Sequence, residues 1–165
     1  MPVGPEGFKE LLSRWASGVS VVTTNDDGML YGLTVSSFSS LSLDPPLILV
    51  CLSNENRLIS MVRSCGRFAV SLLGAHQVNA SNYFARSGRA PSSDFTEIEG
   101  EWTDFDVPVV KGALAWAACS VHELVEKGDH TIVIGQVEHS GVGSREEPLL
   151  YFNRGYRTLD LGPER

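Results

Sequence analysis

The sequence predicts a mainly β fold of antiparallel strands with peripheral helices, most simply a closed barrel, and three observations carry that prediction. Apolar and β-branched runs punctuated by turn residues recur along the chain, as in Val19 to Thr24 followed by Asn25-Asp26-Asp27-Gly28. Helical spacing is confined to short stretches near the start and middle. The 165 residues are 42% hydrophobic and 20% charged, a globular composition with enough chain for one core, so residues 1–165 are expected to form one domain.

In order, Phe8, Leu11, Leu12 and Trp15 repeat at helical spacing, which predicts an amphipathic helix over 5–16 ended by Gly18. Val19 to Thr24 and Met29 to Val35 flank the Asn-Asp-Asp-Gly turn and predict a hairpin. The hydroxyl-rich stretch Thr34, Ser36, Ser37, Ser39, Ser40 and Ser42 then leads to Asp44-Pro45-Pro46, which breaks the chain. Lying between two buried strands, these hydroxyls are expected to need backbone or ligand partners. Leu47 to Leu52 is a third strand, too apolar for an exposed edge. Leu58, Ile59 and Val62 set a helix over 54–64, with Gly66 just past its end.

Phe68 to Leu73 is again a strand, and Gln77 to Arg86 a helix. Residues 87–108 are polar and predict a long surface excursion, a feature more often functional than idle. Ala113 to Leu124 and Thr131 to Ser140 are strands joined by a turn at Gly128-Asp129. Pro148 to Phe152 is a short apolar piece, followed by Asn153-Arg154-Gly155-Tyr156-Arg157. The total is roughly six or seven strands, as in small antiparallel barrels.

A net charge of −7 and a pI near 5.0 argue against a nucleic-acid partner, which needs a basic face. No apolar run reaches the roughly 18–20 residues of a membrane span. The start, Met-Pro-Val-Gly-Pro-Glu-Gly, has no signal-peptide pattern. Cys51, Cys65 and Cys119 are odd in number and widely spaced, which suggests neither disulfides nor a metal site and points to the cytoplasm.

Motifs with a reactive side chain are absent: no GxSxG, GxGxxG, P-loop or HExxH occurs, and the four His are scattered. An enzyme built this way relies on a cofactor for its chemistry. Three clusters suit one. Gly32 to Ser37 offers small residues for a flat ring and hydroxyls for its polar edge; a serine-rich strand end facing water is the plain alternative. Ser53-Asn54-Glu55-Asn56-Arg57 opens a helix, where free N–H groups and the dipole favour phosphate; a simple cap by Ser53 or Asn54 is the commoner outcome. Gly128-Asp129-His130-Thr131 and Tyr151 to Tyr156 add a turn histidine, an arginine and aromatics, which are equally at home as surface and core residues.

Taken together and in order, these segments resemble the flavin reductase family, the short NAD(P)H:flavin oxidoreductases with an FMN-binding split β-barrel. The marks are Gly18 to Thr24, Gly32 to Phe38, Ser42-Leu43-Asp44-Pro45-Pro46-Leu47, Gly66 to Leu73 and Gly128-Asp129-His130, within a match from about Phe8 to about Leu159. The resemblance implies an antiparallel, Greek-key-like split barrel with peripheral helices, and the cofactors FMN or FAD with NADH or NADPH. It implies a homodimer that delivers reduced flavin to a separate flavin-dependent monooxygenase.

Carried over by position, Leu30, Tyr31, Gly32, Leu33 and Thr34 with Ser36 and Ser37 would line the isoalloxazine and ribityl chain. Cys51, Leu52, Ser53, Asn54, Glu55, Asn56, Arg57 and Leu58 would hold the phosphate side. This segment departs from the family pattern in having Asn54, Glu55 and Asn56 where threonine or a second serine is expected. Ala69, Val70 and Ser71 would pass close to the flavin. His130, as the catalytic candidate, and Phe152, Asn153, Arg154 and Gly155 would meet the nicotinamide nucleotide. The alternative on the same fold is a non-catalytic flavin-binding or electron-transfer protein. A further alternative is an enzyme with a dedicated substrate under a lid carrying Arg86, Arg89 and Trp102.

Overall fold

In a computed structural model, which describes residues 1–143 and 145–159, seven antiparallel strands form one sheet with helices at its margins. Its strands are β2 (Ser20–Asp26), β3 (Met29–Val35), β4 (Ser39–Leu43), β5 (Pro46–Ser53), β6 (Arg67–Leu72), β9 (Ala115–Lys127) and β10 (His130–Val142), in the order β3-β2-β6-β9-β10-β5-β4. The end strands β3 and β4 are consecutive in the chain yet form no ladder with each other. Ser37 spans the seam instead: its hydroxyl donates to the Cys51 carbonyl and accepts from the Cys51 N–H, each at 3.0 Å. The barrel is therefore split rather than closed by hydrogen bonds, which corrects the simplest reading of the strand pattern.

Strand periodicity decides the layers. Val22, Ile48, Val50, Leu52, Phe68, Val70 and Val133 fill the interior, capped by Leu58, Ile59, Met61 and Val62 of α2 (Arg57–Cys65). The alternate residues Val21, Leu30 and Leu73 pack outward against Ala80, Tyr83 and Phe84 of α3 (Val78–Ala85). On β5 only Ile48, Val50 and Leu52 point into this interior; the outward Leu47, Leu49 and Cys51 are half-buried apolar residues, so the run at 47–52 carries no polar alternation.

Several predicted bounds shift, each for a local reason. The first helix, α1 (Pro5–Ser13), stops short of Trp15 because β1 (Ser17–Gly18) pairs with β11 (Leu150–Phe152). The helix at 54–64 starts at Arg57, since the Asn54 N–H is bound by the Asp129 carbonyl and Asn56 is the cap. Gly66 ends it in the left-handed conformation at φ 69°. Residues 87–108 are less irregular than expected: Leu30 and Ser92 exchange backbone bonds, and β7 (Gly100–Trp102) pairs with β8 (Pro108–Val110). Gly155–Arg157, for which the sequence predicts no element, is β12 and completes a small sheet with β1 and β11. Finally, the hydroxyl-rich stretch is not buried between two strands. Ser36, Ser39 and Ser40 are exposed, and Ser39–Leu43 is itself the edge strand β4. The end of the expected 1–165 domain, from 160 onward, lies outside the described residues.

Candidate functional site

Where β3 ends, its backbone leaves the sheet and α3 crosses beside it. A cavity of about 220 Å³ opens there, lined by Thr34 and Ser36 from β3 and its exit, Ser81 and Ala85 from α3, and Tyr151 and Tyr156 from the β11–β12 hairpin. Its lining holds five hydroxyls and no ionisable group other than the two phenols. Through Val19 and Ser36 it continues into a second hollow bounded by Trp15, Gly18 and Phe38. A flat, weakly charged ring with a hydroxylated chain is the chemistry such a trough suits.

The walls are fixed by hydrogen bonds. Thr34 Oγ1 donates to the Ser81 carbonyl at 2.7 Å, tying β3 to α3. Tyr156 Oη lies 2.8 Å from Ser81 Oγ and donates to Asn82 Oδ1 at 3.0 Å, tying the hairpin to the same helix. Gly32 sits under Phe84, where a Cβ would come within 2.7 Å of the ring. Above it, Arg89 donates to the Gly32 carbonyl and stacks 5.0 Å from the Tyr31 and Tyr83 ring centres. The arginine supplies a donor to a strand edge that would otherwise expose its carbonyls.

Of the residues expected around the ring, Thr34 and Ser36 line the cavity and Ser37 bridges the seam. Leu30 and Tyr31 are buried in the core, and Leu33 packs against it. The structure brings the second cluster to the Gly128–Thr131 half of the third. β5 pairs with β10 so that Ser53 faces His130, Leu52 faces Thr131 and Cys51 faces Ile132. Thr131 Oγ1 donates to Asn54 Oδ1 at 2.6 Å.

At the start of α2 the cap is neither Ser53 nor Asn54: Asn56 Oδ1 accepts from the Leu58 N–H at 2.9 Å, and its carbonyl accepts from Ile59. The helix end thus keeps few free N–H groups for an anion. Glu55 and Arg57 are exposed, while Leu52 and Leu58 are fully buried. Ala69, Val70 and Ser71 lie in a central strand with their side chains buried, and Ser71 Oγ accepts from the Val110 N–H.

His130 opens β10 at the surface, with Nδ1 2.8 Å from Asp129 Oδ1. That hydrogen bond holds the Asp129 carboxyl below the usual carboxylate range. The Phe152–Gly155 turn lies elsewhere: the Asn153 N–H donates to the Ser13 carbonyl, and Arg154 pairs with Glu10 at 3.4 Å. The register of β1, β2, β6 and β9 places this turn at the Val142 end of β10. His130 is at the other end of that strand. The hydrogen bonds of the two nicotinamide candidates lead to different elements. No group of three or more His, Cys, Asp and Glu suited to a metal stands among the described residues.

Sequence reasoning missed Ser81, Ala85, Trp15 and Phe38 as site residues; Tyr151 and Tyr156 stood in the third cluster, but not beside Thr34 and Ser36. Ser81 and Ala85 share a helix face at i, i+4, which was legible, but nothing in the sequence aimed that face at β3.

The fold and site together define a split-barrel protein with a hydroxyl-lined trough at the end of an edge strand. The chain matches the flavin reductase like domain over residues 12–160 and belongs to that family. It is 43% identical over 93% of its length to the reductase component of 4-hydroxyphenylacetate 3-monooxygenase from Thermus thermophilus, of which it covers 96%. It is 34% identical to an NADH-dependent flavin reductase of a Rhodococcus species, over 96% of this chain and 89% of that one. Among solved structures, the NADH:FAD oxidoreductase of Streptomyces globisporus C-1027 in complex with NAD and FAD fragments superposes with a TM-score of 0.89 at 29% identity, over 99% of each chain.

Proposed function

We propose that this protein is an NAD(P)H:flavin oxidoreductase whose reduced FMN or FAD serves a separate flavin-dependent monooxygenase. The observation that carries this reading is the uncharged, hydroxyl-lined trough in a chain of the flavin reductase family. Bound flavin supplies the N5 acceptor for a hydride from nicotinamide C4, a step that needs no protein nucleophile and no strong acid. The protein therefore contributes binding, orientation and exclusion of water. The hydroxyls of Thr34, Ser36 and Ser37 meet the polar edge and ribityl chain. The phosphate side falls to Ser53, Asn54, Glu55, Asn56 and Arg57, with Cys51 and the buried Leu52 and Leu58 behind them. His130 positions the nicotinamide amide, and Arg154 meets a pyrophosphate or ribose.

The reading includes a homodimer. On the outer face of β5 and β10, Leu47, Leu49, Cys51, Ile132 and Ile134 are only half-buried, with Ile132 opposite Cys51 and Ile134 opposite Leu49. Moreover, α1 buries none of its residues and leaves Phe8, Leu11, Leu12 and nearby Trp15 exposed. Apolar surface of this extent marks an interface. Residues 1–165 act as one domain. Three free thiols suit the reducing cytoplasm, and no helix among the described residues is long and apolar enough to cross a membrane.

The test is reduction of free flavin by NADH or NADPH under anaerobic conditions, followed by loss of the oxidised flavin band. Bleaching that requires the protein and consumes one dinucleotide per flavin supports the reading. Bleaching no faster than without protein refutes it.

A further inference from the structure

The β11–β12 hairpin forms one wall of the cavity, and its attachment is uneven. Its base is secured by buried Leu149, whose N–H donates to Leu73 and whose carbonyl accepts from Val19. Beyond the base it rests on β1 through Ser17 and Gly18, on the Ser13 carbonyl, and on the exposed Arg154–Glu10 pair. These contacts lead to α1, which itself buries nothing. Exposed ion pairs of that kind contribute little.

Against this thin support stands one well-formed polar link to the body of the fold. Ser81 is fully buried, and its hydroxyl has Tyr156 Oη at 2.8 Å as partner. The amide oxygen of Asn82 only accepts, so the phenol proton goes to Asn82 and the serine hydroxyl donates to the phenol. With Thr34 donating to the Ser81 carbonyl, a hydrogen-bonded series runs from β3 across α3 to β12. The Tyr156 ring also meets Tyr151 edge-on at 5.8 Å, and both rings line the cavity.

We propose that Tyr156 is a positioning residue for the flavin reductase reaction: its phenol latches the C-terminal hairpin to α3 and fixes the Phe152–Gly155 turn relative to Thr34 and Ser36. The kinetic part rests on the function proposed above; the latch itself rests on geometry alone. Closing two rings onto each other depends on the walls being held in place before the ligand arrives. A hairpin free to swing from its Leu149 base would lose that preorganisation without losing the chemistry.

The test is Tyr156→Phe, which keeps the ring and its edge contact but removes the latch and leaves the Ser81 hydroxyl without its acceptor. Backbone hydrogen exchange over 150–157 is expected to speed up. KM for the dinucleotide is expected to rise roughly three- to ten-fold, the worth of one or two hydrogen bonds, with kcat changed less. Adding Ser81→Ala removes the orphaned hydroxyl; thermal stability is expected to return while KM stays high. Unchanged exchange in Tyr156→Phe overturns the latch. A KM that recovers together with stability in the double variant overturns the positioning role and leaves packing only. Should the wild-type protein show no oxidation at all, the functional reading fails, and the exchange measurement still decides the latch.

Discussion

His130 begins a strand at the surface, and its Nδ1 is engaged by the carboxylate next to it. That contact favours the tautomer with the proton on Nδ1 and leaves Nε2 as an acceptor for a ligand amide. A role in placing the nicotinamide predicts that His130→Ala raises KM for the dinucleotide or slows turnover several-fold. Unchanged steady-state kinetics with both NADH and NADPH would sink it. Cys119 is the opposite case. It is buried among interior strands, and desolvation of its thiolate is the main cause that pushes its pKa up to about 12. At pH 8 about one thiol in ten thousand is ionised, against about a quarter for an ordinary cysteine. Alkylation at that pH, read by peptide mass spectrometry, should therefore spare Cys119 until denaturant is added; labelling at a rate similar to half-buried Cys65 would contradict its placement.

Among elements, β3 is where backbone and site meet most closely. Gly32→Ala would set a Cβ 2.7 Å from the Phe84 ring, which is fully buried and held edge-on by Tyr83 and Phe95 at 4.9 and 5.1 Å. A ring so enclosed cannot step aside, and overpacking of this kind costs about 1–3 kcal/mol. The denaturation midpoint should fall accordingly, and Phe84→Leu in the same chain should recover part of the loss. A Gly32→Ala protein as stable as wild type would show that the strand can shift.

The same strand illustrates what the sequence made legible. The β2–β3 hairpin was readable because the turn chemistry is local: Asp27 and Gly28 take φ of 52° and 81°, and Asn25 Oδ1 accepts from the Gly28 N–H. The β4 strand was not, because Ser39 to Leu43 has little strand propensity of its own and is extended by pairing with β5. Likewise, Thr34 and Ser36 were legible as site residues, but Ser81 and its contact with Tyr156 were not. Their meeting depends on contacts 47 and 75 residues apart, which no local pattern reports.

For the whole molecule, the split barrel leaves apolar surface on β5, β10 and α1 that a lone copy would expose to water. A homodimer predicts a light-scattering mass of twice 17.9 kDa at micromolar concentration, and a charge placed at Leu49 or Ile134 should shift it toward one chain. A mass of one chain across the concentration range would show that these faces form no interface between copies. Dimer or not, the proposed activity passes flavin through this protein as a substrate reduced by a nicotinamide nucleotide. The most direct measurement is steady-state oxidation of NADH and NADPH by the purified protein with free FMN, with free FAD, or with neither. A flavin reductase gives rapid oxidation that depends on added flavin and saturates with it. Flavin retained by the protein through gel filtration, with no dinucleotide oxidised on adding more, would contradict it and leave a flavin-binding protein in its place.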